Sequence, residues 1–248
     1  MNLYTNLKSD LYKIVHTPIW LLHLLIPLAA MMLFLSYYAI SPWHETDKLS
    51  AYIQALAVVF PALIGIITSL LSELEQNAGS SILLTANAKF LPHASKILLL
   101  ILLAMLSTLF ALVGFGTAFI KMGYVTQNFL FYLETAVLLW ASVLPLYLLH
   151  YIVSFHFGKG WSIGLGILGT LLSALFLTGL GDGIWPYLPW GITSRFAELL
   201  LISNLSDVPF LQYNDVIKSI INMLIVTSIL TIIFVLSFNK WEGRQSED

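Results

Sequence analysis

Apolar residues fill the chain in long blocks, and short polar segments separate them. Six blocks approach the length of about 20 residues that a helix needs to cross a bilayer core of about 30 Å. None alternates with period two as a barrel strand does, and lipid offers the backbone no hydrogen-bond partner, so each block is predicted to be a helix. The predicted spans are 19–40, 52–71, 96–120, 129–156, 161–180 and 216–238. Pro27 and Pro145 predict a bend in the first and fourth spans.

Composition agrees with this pattern and excludes several classes of function. Of the 248 residues, 58% are apolar and 10% charged, whereas soluble domains carry about 25% charged residues. The chain is therefore predicted to be a single all-α polytopic membrane domain, residues 1–248, and not a water-soluble enzyme. It has no cysteine and a net charge of −2, so it offers no disulfide or thiolate and no basic face for nucleic acid.

The basic residues predict how the chain is oriented in the membrane. Cytoplasmic loops of membrane proteins carry an excess of Lys and Arg. With a cytoplasmic N-terminus, seven basic residues lie inside and four outside. The inside set is Lys8, Lys13, Lys89, Lys96, Lys159, Lys240 and Arg244. Both termini are therefore predicted to be cytoplasmic.

The first eighteen residues carry a helical stripe of apolar side chains. Leu3, Leu7, Leu11 and Ile14 repeat at helical spacing, with the polar side chains predicted to turn elsewhere. Pro18 then interrupts the segment before the first span. The pattern favours an interfacial helix, residues 1–18, on the inner leaflet. A disordered tail is the alternative.

The connector between the second and third spans indicates a short amphipathic helix. Acidic and amide side chains mark the exit from the bilayer, a Gly-Ser pair allows a turn, and apolar residues then recur at helical spacing until Pro92 closes the element. Such a helix would fit a groove of a partner protein. A re-entrant or surface-lying loop is the alternative. The residues concerned are Glu73, Glu75, Gly79, Ser80, Ile82, Leu83 and Phe90.

The outer stretch before the last span, about residues 181–215, is rich in Trp, Tyr and Pro. Because Trp and Tyr favour the membrane interface, short helices dipping partway into the outer leaflet are predicted there. Glu134 lies about one turn inside the fourth span, where an acidic side chain is either a headgroup anchor or a substrate contact. The candidate outer-face residues are Glu134, Trp185, Trp190 and Arg195.

Signatures of catalysis and of nucleotide binding are missing from the sequence. Gly158-Lys159 is the only Gly-Lys pair, and Val153 stands where a phosphate-binding loop needs its first glycine. A membrane enzyme would need paired carboxylates, a Ser-His pair or a metal cluster at one depth. His150, Ser154 and His156 come nearest. We therefore predict no catalytic residue, no metal and no cofactor in this chain.

At this point the sequence resembles the permease subunits of ABC-2-type ATP-driven exporters. Those subunits combine an interfacial N-terminal helix, six spans, half-penetrating extracellular helices and an acidic-Gly-Thr/Ser element after the second span. Here the element is Glu75-Gln76-Asn77-Ala78-Gly79-Ser80, followed by Ile82-Leu83-Leu84. The segment from Leu83 to Asn87 and the Trp-Pro-rich outer stretch are similar, more narrowly, to lantibiotic immunity permeases of Gram-positive bacteria. Ile82 stands where the exporters carry a second acidic residue, a departure from their pattern at the docking element.

The resemblance implies a function in transport. The connector would be the coupling helix that docks on a dimeric ATP-binding subunit, which would hold ATP and Mg²⁺. A second permease, the same or related, would complete the complex in a bacterial plasma membrane, and a lantibiotic peptide would be expelled from the lipid for self-immunity. The alternatives are an exporter of another hydrophobic substrate (a drug or a lipid), an intramembrane enzyme, or a scaffold subunit that moves nothing.

Overall fold

The computed structural model describes residues 3–79, 83, 89–124, 127–206 and 208–243. Over these ranges the secondary structure is helical, with no strand. The helices of these ranges are α1 (Leu3–Val15), α2 (Pro18–Ile40), α3 (Glu45–Asn77), α4 (Phe90–Lys121), α5 (Phe129–Ser142), α6 (Leu144–His156), α7 (Lys159–Leu175), α8 (Pro189–Leu205) and α9 (Asn214–Asn239). Short 3₁₀ turns lie between α7 and α9.

Five segments are long and apolar enough to cross a membrane: α2, α3, α4, α5 together with α6, and α9. The predicted span 161–180 is the exception. Helix α7 has 17 residues and ends at Leu175, which gives it a length of about 25 Å. The chain then folds back on itself, because a Cβ atom at Gly181 would lie 2.6 Å from the Phe176 Cα. For the part of the chain that the structure describes, an all-helical fold with five segments long enough to span a membrane is thus confirmed, and a sixth is not.

Helices α3 and α4 begin earlier than their apolar stretches predicted. At the start of α3, the His44 side chain accepts a hydrogen bond from the Thr46 N–H, and acidic side chains occupy the first turn, where the helix dipole favours them. The prediction that Pro92 closes a separate element is wrong. Pro92 lies in the first turn of α4, where its missing N–H would have no helical partner in any case.

The two prolines for which a bend was predicted differ in effect. Helix α2 runs through Pro27 without interruption. The fourth span breaks at Val143, between α5 and α6, and Pro145 lies in the first turn of α6. A proline removes the hydrogen bond to the carbonyl four residues earlier. The helix is interrupted within the turn that lacks this hydrogen bond.

Helices α3 and α7 pack closely through glycine. A Cβ atom at Gly65 would lie 2.6 Å from the Ser162 carbonyl oxygen, and one at Gly166 would lie 2.7 Å from the Pro61 carbonyl oxygen. Both distances are too short for a side chain, so the two backbones are in direct contact. Gly164, on the same helix α7, has no neighbour within 4 Å of such an atom. The small residues of α7 therefore allow close packing only on the side of the helix that faces α3.

The two ends of the bundle are closed by different groups. At one end, which we call the α1 end, Trp241 near the C-terminus packs on the His93 ring of α4. Lys89 also donates to the Trp241 carbonyl oxygen there, at 3.1 Å. At the other end, Lys48 is buried and donates to the Tyr38 carbonyl and the Tyr124 hydroxyl, both at 3.0 Å. The first helix and the end of the last helix thus share one end of the molecule.

Candidate functional site: a buried charge cluster

Helix α1 presents a polar face to the protein. Its buried residues are Asn6, Asp10 and Ile14, which lie at successive i, i+4 positions and so share one face of the helix. Leu3 and Leu11 of the apolar stripe are exposed. Residues Leu3–Val15 are thus helical, and most of the leucine stripe faces away from the bundle. The reason lies in what Asp10 contacts.

Asp10 belongs to a cluster of charged side chains from three helices at the α1 end. The Lys96 Nζ atom of α4 lies 2.5 Å from the Asp10 Oδ1 atom and 3.4 Å from the Glu75 Oε1 atom of α3. Lys13, one turn after Asp10 on α1, lies 3.1 Å from the same Glu75 oxygen. The Ser95 hydroxyl donates to the other Asp10 oxygen. We call Asp10, Lys13, Glu75 and Lys96 the charge cluster.

The charge cluster is withdrawn from solvent. The side chains of Lys96, Glu75 and Asp10 are 2%, 3% and 6% exposed, and only Lys13 is open, at 30%. A buried charge is tolerated when it is paired and hydrogen-bonded. Two carboxylates and two ammonium groups cancel in formal charge here, and Lys96 bridges the carboxylates of α1 and α3. The cluster therefore joins α1, α3 and α4 into one unit.

An aromatic layer covers the charge cluster on the side of the last helix. His93, one turn before Lys96 on α4, has its Nδ1 atom 3.0 Å from the Tyr151 hydroxyl of α6. Its ring stacks on Phe238 of α9, with the ring centroids 3.9 Å apart. Phe155 meets the same ring edge-on. This layer connects α6 and α9 to the cluster, so five helices meet at this end of the molecule.

The predicted coupling residues at the end of α3 differ in placement. Glu73 is half-exposed, and its carboxylate accepts from Lys159 of α7 at 2.9 Å. Glu75 points inward into the charge cluster. Gly79 follows the end of α3 with φ at +76°, a left-handed conformation that closes a helix and that other residues adopt only with strain. Glu73 is thus the acidic side chain of this pair that faces outward.

The remaining coupling residues lie at the edge of the described ranges. Leu83 is fully buried and belongs to the same apolar cluster as Ile14 of α1. Phe90 is the first residue of α4 and packs partly against that cluster. Ser80 and Ile82 lie outside the described residues. The same holds for the rest of the predicted helix between α3 and α4, apart from Leu83, Lys89 and Phe90.

The predicted outer-face residues do not form one site. Trp185 is buried and its ring meets Phe196 of α8 edge-on, while Trp190 lies half-buried against Gly169 of α7. Both rings fill the interior because α8 folds into the bundle. Glu134 alone of these residues is exposed, on α5.

Arg195 of α8 holds the outer stretch together rather than facing outward freely. Its guanidinium lies 2.5 Å from the Asp182 carboxylate and 3.0 Å from the Glu198 carboxylate. It also donates to the Thr178 carbonyl oxygen at 3.1 Å. These contacts tie α8 to the turn that follows α7.

A Ser-His contact exists, but the serine that contacts His150 is not the one that the sequence favoured. His150 Nδ1 lies 3.2 Å from the Ser162 hydroxyl, which also contacts the Thr68 hydroxyl and the Gly65 carbonyl. Ser154 instead donates to the Tyr151 carbonyl. His150 and Ser162 are both fully buried, so a substrate has no access to them. This contact stabilises the junction of α3, α6 and α7.

Sequence reasoning missed the charge cluster as a site, although it singled out Glu75. One signal was present: Asp10 is the only acidic residue among the first 44, and it interrupts an otherwise apolar and basic segment. Lys96, in the first part of a predicted span, was a second signal, since an ionisable residue in such a position has a partner as a rule. Neither signal says which residues meet.

Comparison with known proteins adds no relative. No model of a known protein family matches the chain, and a search of curated proteins finds no significant match. Within the described ranges, no group of three His, Cys, Asp or Glu side chains is placed to hold a metal ion. The fold, the charge cluster and the exposed Glu73 are therefore the basis on which a function is proposed.

Proposed function

We propose that this chain is the membrane-spanning permease subunit of an ATP-driven exporter in a bacterial plasma membrane. In this proposal α7 is a sixth, short crossing, since its 17 residues equal the lower limit of known spans. Both termini are cytoplasmic, α1 lies along the inner leaflet, and α8 is the half-penetrating outer helix. The observation that carries the proposal is the charge cluster at the base of the connector between α3 and α4.

The charge cluster is placed to transmit a displacement of the connector to the helices. The connector leaves α3 after Asn77 and enters α4 at Phe90. Glu75 lies just before it and Lys96 just after it, so any displacement of the connector moves both side chains. Through Asp10 the same displacement reaches α1. Coupling needs a rigid unit at the contact and a bundle with two stable arrangements above it, and the cluster supplies the rigid unit.

Glu73 is the residue that we propose contacts the ATP-binding subunit. Its pair with Lys159 is half-exposed, with side chains 45% and 50% accessible. Such surface pairs are worth about 0–1 kcal/mol. A cation of the partner could therefore replace Lys159 at little cost, whereas Glu75 would have to abandon a buried pair. Docking would engage Glu73 and leave the charge cluster intact.

The substrate that we favour is an amphipathic antimicrobial peptide of the lantibiotic class, taken laterally from the outer leaflet. Glu134 lies beside an apolar groove of α5 and α8 lined by Leu133, Val137, Leu138, Ala141, Leu200 and Phe210. A cationic, amphipathic chain would match one carboxylate next to an apolar surface. A drug or lipid exporter would use the same groove without needing the carboxylate.

The experiment is reconstitution in liposomes with a candidate ATP-binding subunit from the same bacterium. We expect the two to co-purify, and we expect peptide to stimulate ATP hydrolysis. Glu73→Gln should reduce the stimulated rate about 3- to 10-fold, which corresponds to about 0.7–1.4 kcal/mol of lost interface pairing. Asp215→Asn is the matched control, because its ion pair with Lys218 is also exposed but follows the outer stretch.

Three results would count against the proposal. The first is failure of the chain to bind the ATP-binding subunit. The second is hydrolysis that is indifferent to peptide when the two are bound. The third is an equal effect of the Glu73 and Asp215 substitutions, which would mean that the connector side of the molecule is not the contact surface.

A further inference from the structure

A second feature lies in the interior of the bundle, away from the charge cluster. Helices α2, α3, α4 and α6 surround a small, partly open cavity of about 50 Å³, which is several times the space that one buried water needs. Its wall is apolar apart from a few polar side chains, and no Asp, Glu, Lys or Arg is among the described residues that line it. The polar lining residues are His23, Ser107, Thr108 and Tyr147.

His23 has an unused nitrogen in this wall. Its Nδ1 atom lies 2.8 Å from the Ile19 carbonyl oxygen. Because a carbonyl only accepts, Nδ1 must carry a proton, and in a neutral ring Nε2 is then an acceptor. The Nε2 atom is buried and has no hydrogen-bond partner among the described residues, and the side chain as a whole is 8% exposed. A buried acceptor without a donor is unfavourable by about 1–3 kcal/mol.

Pro27 adds a second acceptor at the same place. It lies four residues after His23 and has no N–H, so the helix cannot supply the usual hydrogen bond to the His23 carbonyl. Both Pro27 and His23 line the cavity. The Thr108 hydroxyl, by contrast, already donates to the Ala104 carbonyl at 2.8 Å. The part of the wall that α2 supplies therefore offers acceptors rather than donors.

We propose that this cavity binds a lipid of the surrounding bilayer, with a headgroup hydroxyl donating to His23 Nε2 and part of an acyl chain in the apolar space. His23 is the sixth residue of α2, about 8 Å along the helix from its first residue, which is the depth of lipid headgroups and glycerol if α2 begins at the interface. The cavity is partly open, so a lipid enters sideways.

The proposal does not depend on transport, and the purified full-length chain in nanodiscs tests it. The probe is a C16 alcohol with a diazirine in its chain, and the matched probe is its methyl ether, which has no O–H to donate. After photolysis, the labelled residues are located by mass spectrometry. We expect the alcohol to label cavity residues of α2, α3 and α4 about 3- to 10-fold more than the ether.

Variants then separate the hydrogen bond from the cavity itself. In His23→Leu, labelling by the alcohol should fall to the level of labelling by the ether, while labelling by the ether should not change. His16→Leu is the control, because His16 bonds the carbonyl four residues earlier in the same way but its ring is exposed. Ser107→Leu adds bulk to the wall and should reduce labelling by both probes.

Equal labelling of the cavity by alcohol and ether in the unaltered protein would overturn the proposal, and this comparison needs no variant to fold. Labelling spread evenly over the outer surface of α2 and α9 would also overturn it. A persistent preference for the alcohol in His23→Leu would show that another group, such as Tyr147, holds the hydroxyl, and would overturn the assignment to His23.

Discussion

Replacing Lys96 by Met is the perturbation that tests the charge cluster most directly. Methionine keeps an unbranched apolar stem of similar length, so packing changes little, but the cation shared by Asp10 and Glu75 is lost. Lys13 still forms its ion pair with Glu75, whereas Asp10 retains the hydrogen bond from the Ser95 hydroxyl. A carboxylate whose side chain is 6% exposed is then left without a counter-charge.

The exposure of these side chains sets the expected magnitude. Removing one partner of a buried pair destabilises a protein by about 3–5 kcal/mol, and the Lys96 side chain is 2% exposed. Lys159→Met removes a cation of the same kind from Glu73, but that pair is half-exposed, so we expect about 0–1 kcal/mol. Asp10→Asn added to Lys96→Met restores charge balance and should recover about 1–3 kcal/mol.

The assay is equilibrium unfolding of the purified protein in mixed micelles with increasing dodecyl sulfate, followed by tryptophan fluorescence. Trp241 lies beside the cluster through its contact with His93 and reports on that end. The reasoning is refuted if Lys96→Met and Lys159→Met unfold within about 0.5 kcal/mol of each other. It is also refuted if the Asp10 and Lys96 substitutions add without interaction, because adjacent charges must couple.

Two further predictions use the same unfolding assay. Gly166→Ala should destabilise by about 1–3 kcal/mol, because its Cβ atom would lie 2.7 Å from a carbonyl oxygen of α3. A Cβ atom at Gly164, on the same helix, would have no neighbour within 4 Å, so Gly164→Ala should be neutral or slightly stabilising. Equal changes in stability for Gly166→Ala and Gly164→Ala would contradict the packing of α7 on α3. Ser162→Ala should cost about 1–3 kcal/mol, because it leaves His150 Nδ1 without its partner. Ser228→Ala, at an exposed position of α9, should cost less than about 0.5 kcal/mol, and a loss as large as that of Ser162→Ala would show that burial is not the cause.

The spans were predictable from the sequence because length and apolarity are properties of contiguous residues. A run of about 20 apolar residues has one stable form in lipid, whatever the rest of the chain does. Helix α7 departs from its prediction because the chain turns tightly after Leu175, so that Gly181 lies against Phe176. The apolar residues of the predicted span continue through this turn, and their pattern does not show where the helix ends.

The charge cluster was not predictable, because its members are far apart in sequence. Asp10 and Lys96 are 86 residues apart, and Lys13 and Glu75 are 62 apart. The apolar stripe of α1 predicted an interfacial helix, but it did not show that the polar face would lie against the bundle and pair Asp10 with Lys96. Trp185 is a second example. The preference of tryptophan for the membrane interface predicted an outer position, but it does not indicate whether the neighbouring helix α8 packs into the bundle and buries the ring.

The separation of Asp10 and Lys96 also orders events during synthesis. Helix α1 is made before its partner, which follows 86 residues later. At about 5–20 residues per second, that separation corresponds to a delay of roughly 4 to 17 s. Closure of this ion pair therefore requires that the third hydrophobic segment has been made, and until then α1 lacks the contact that holds its polar face against the bundle.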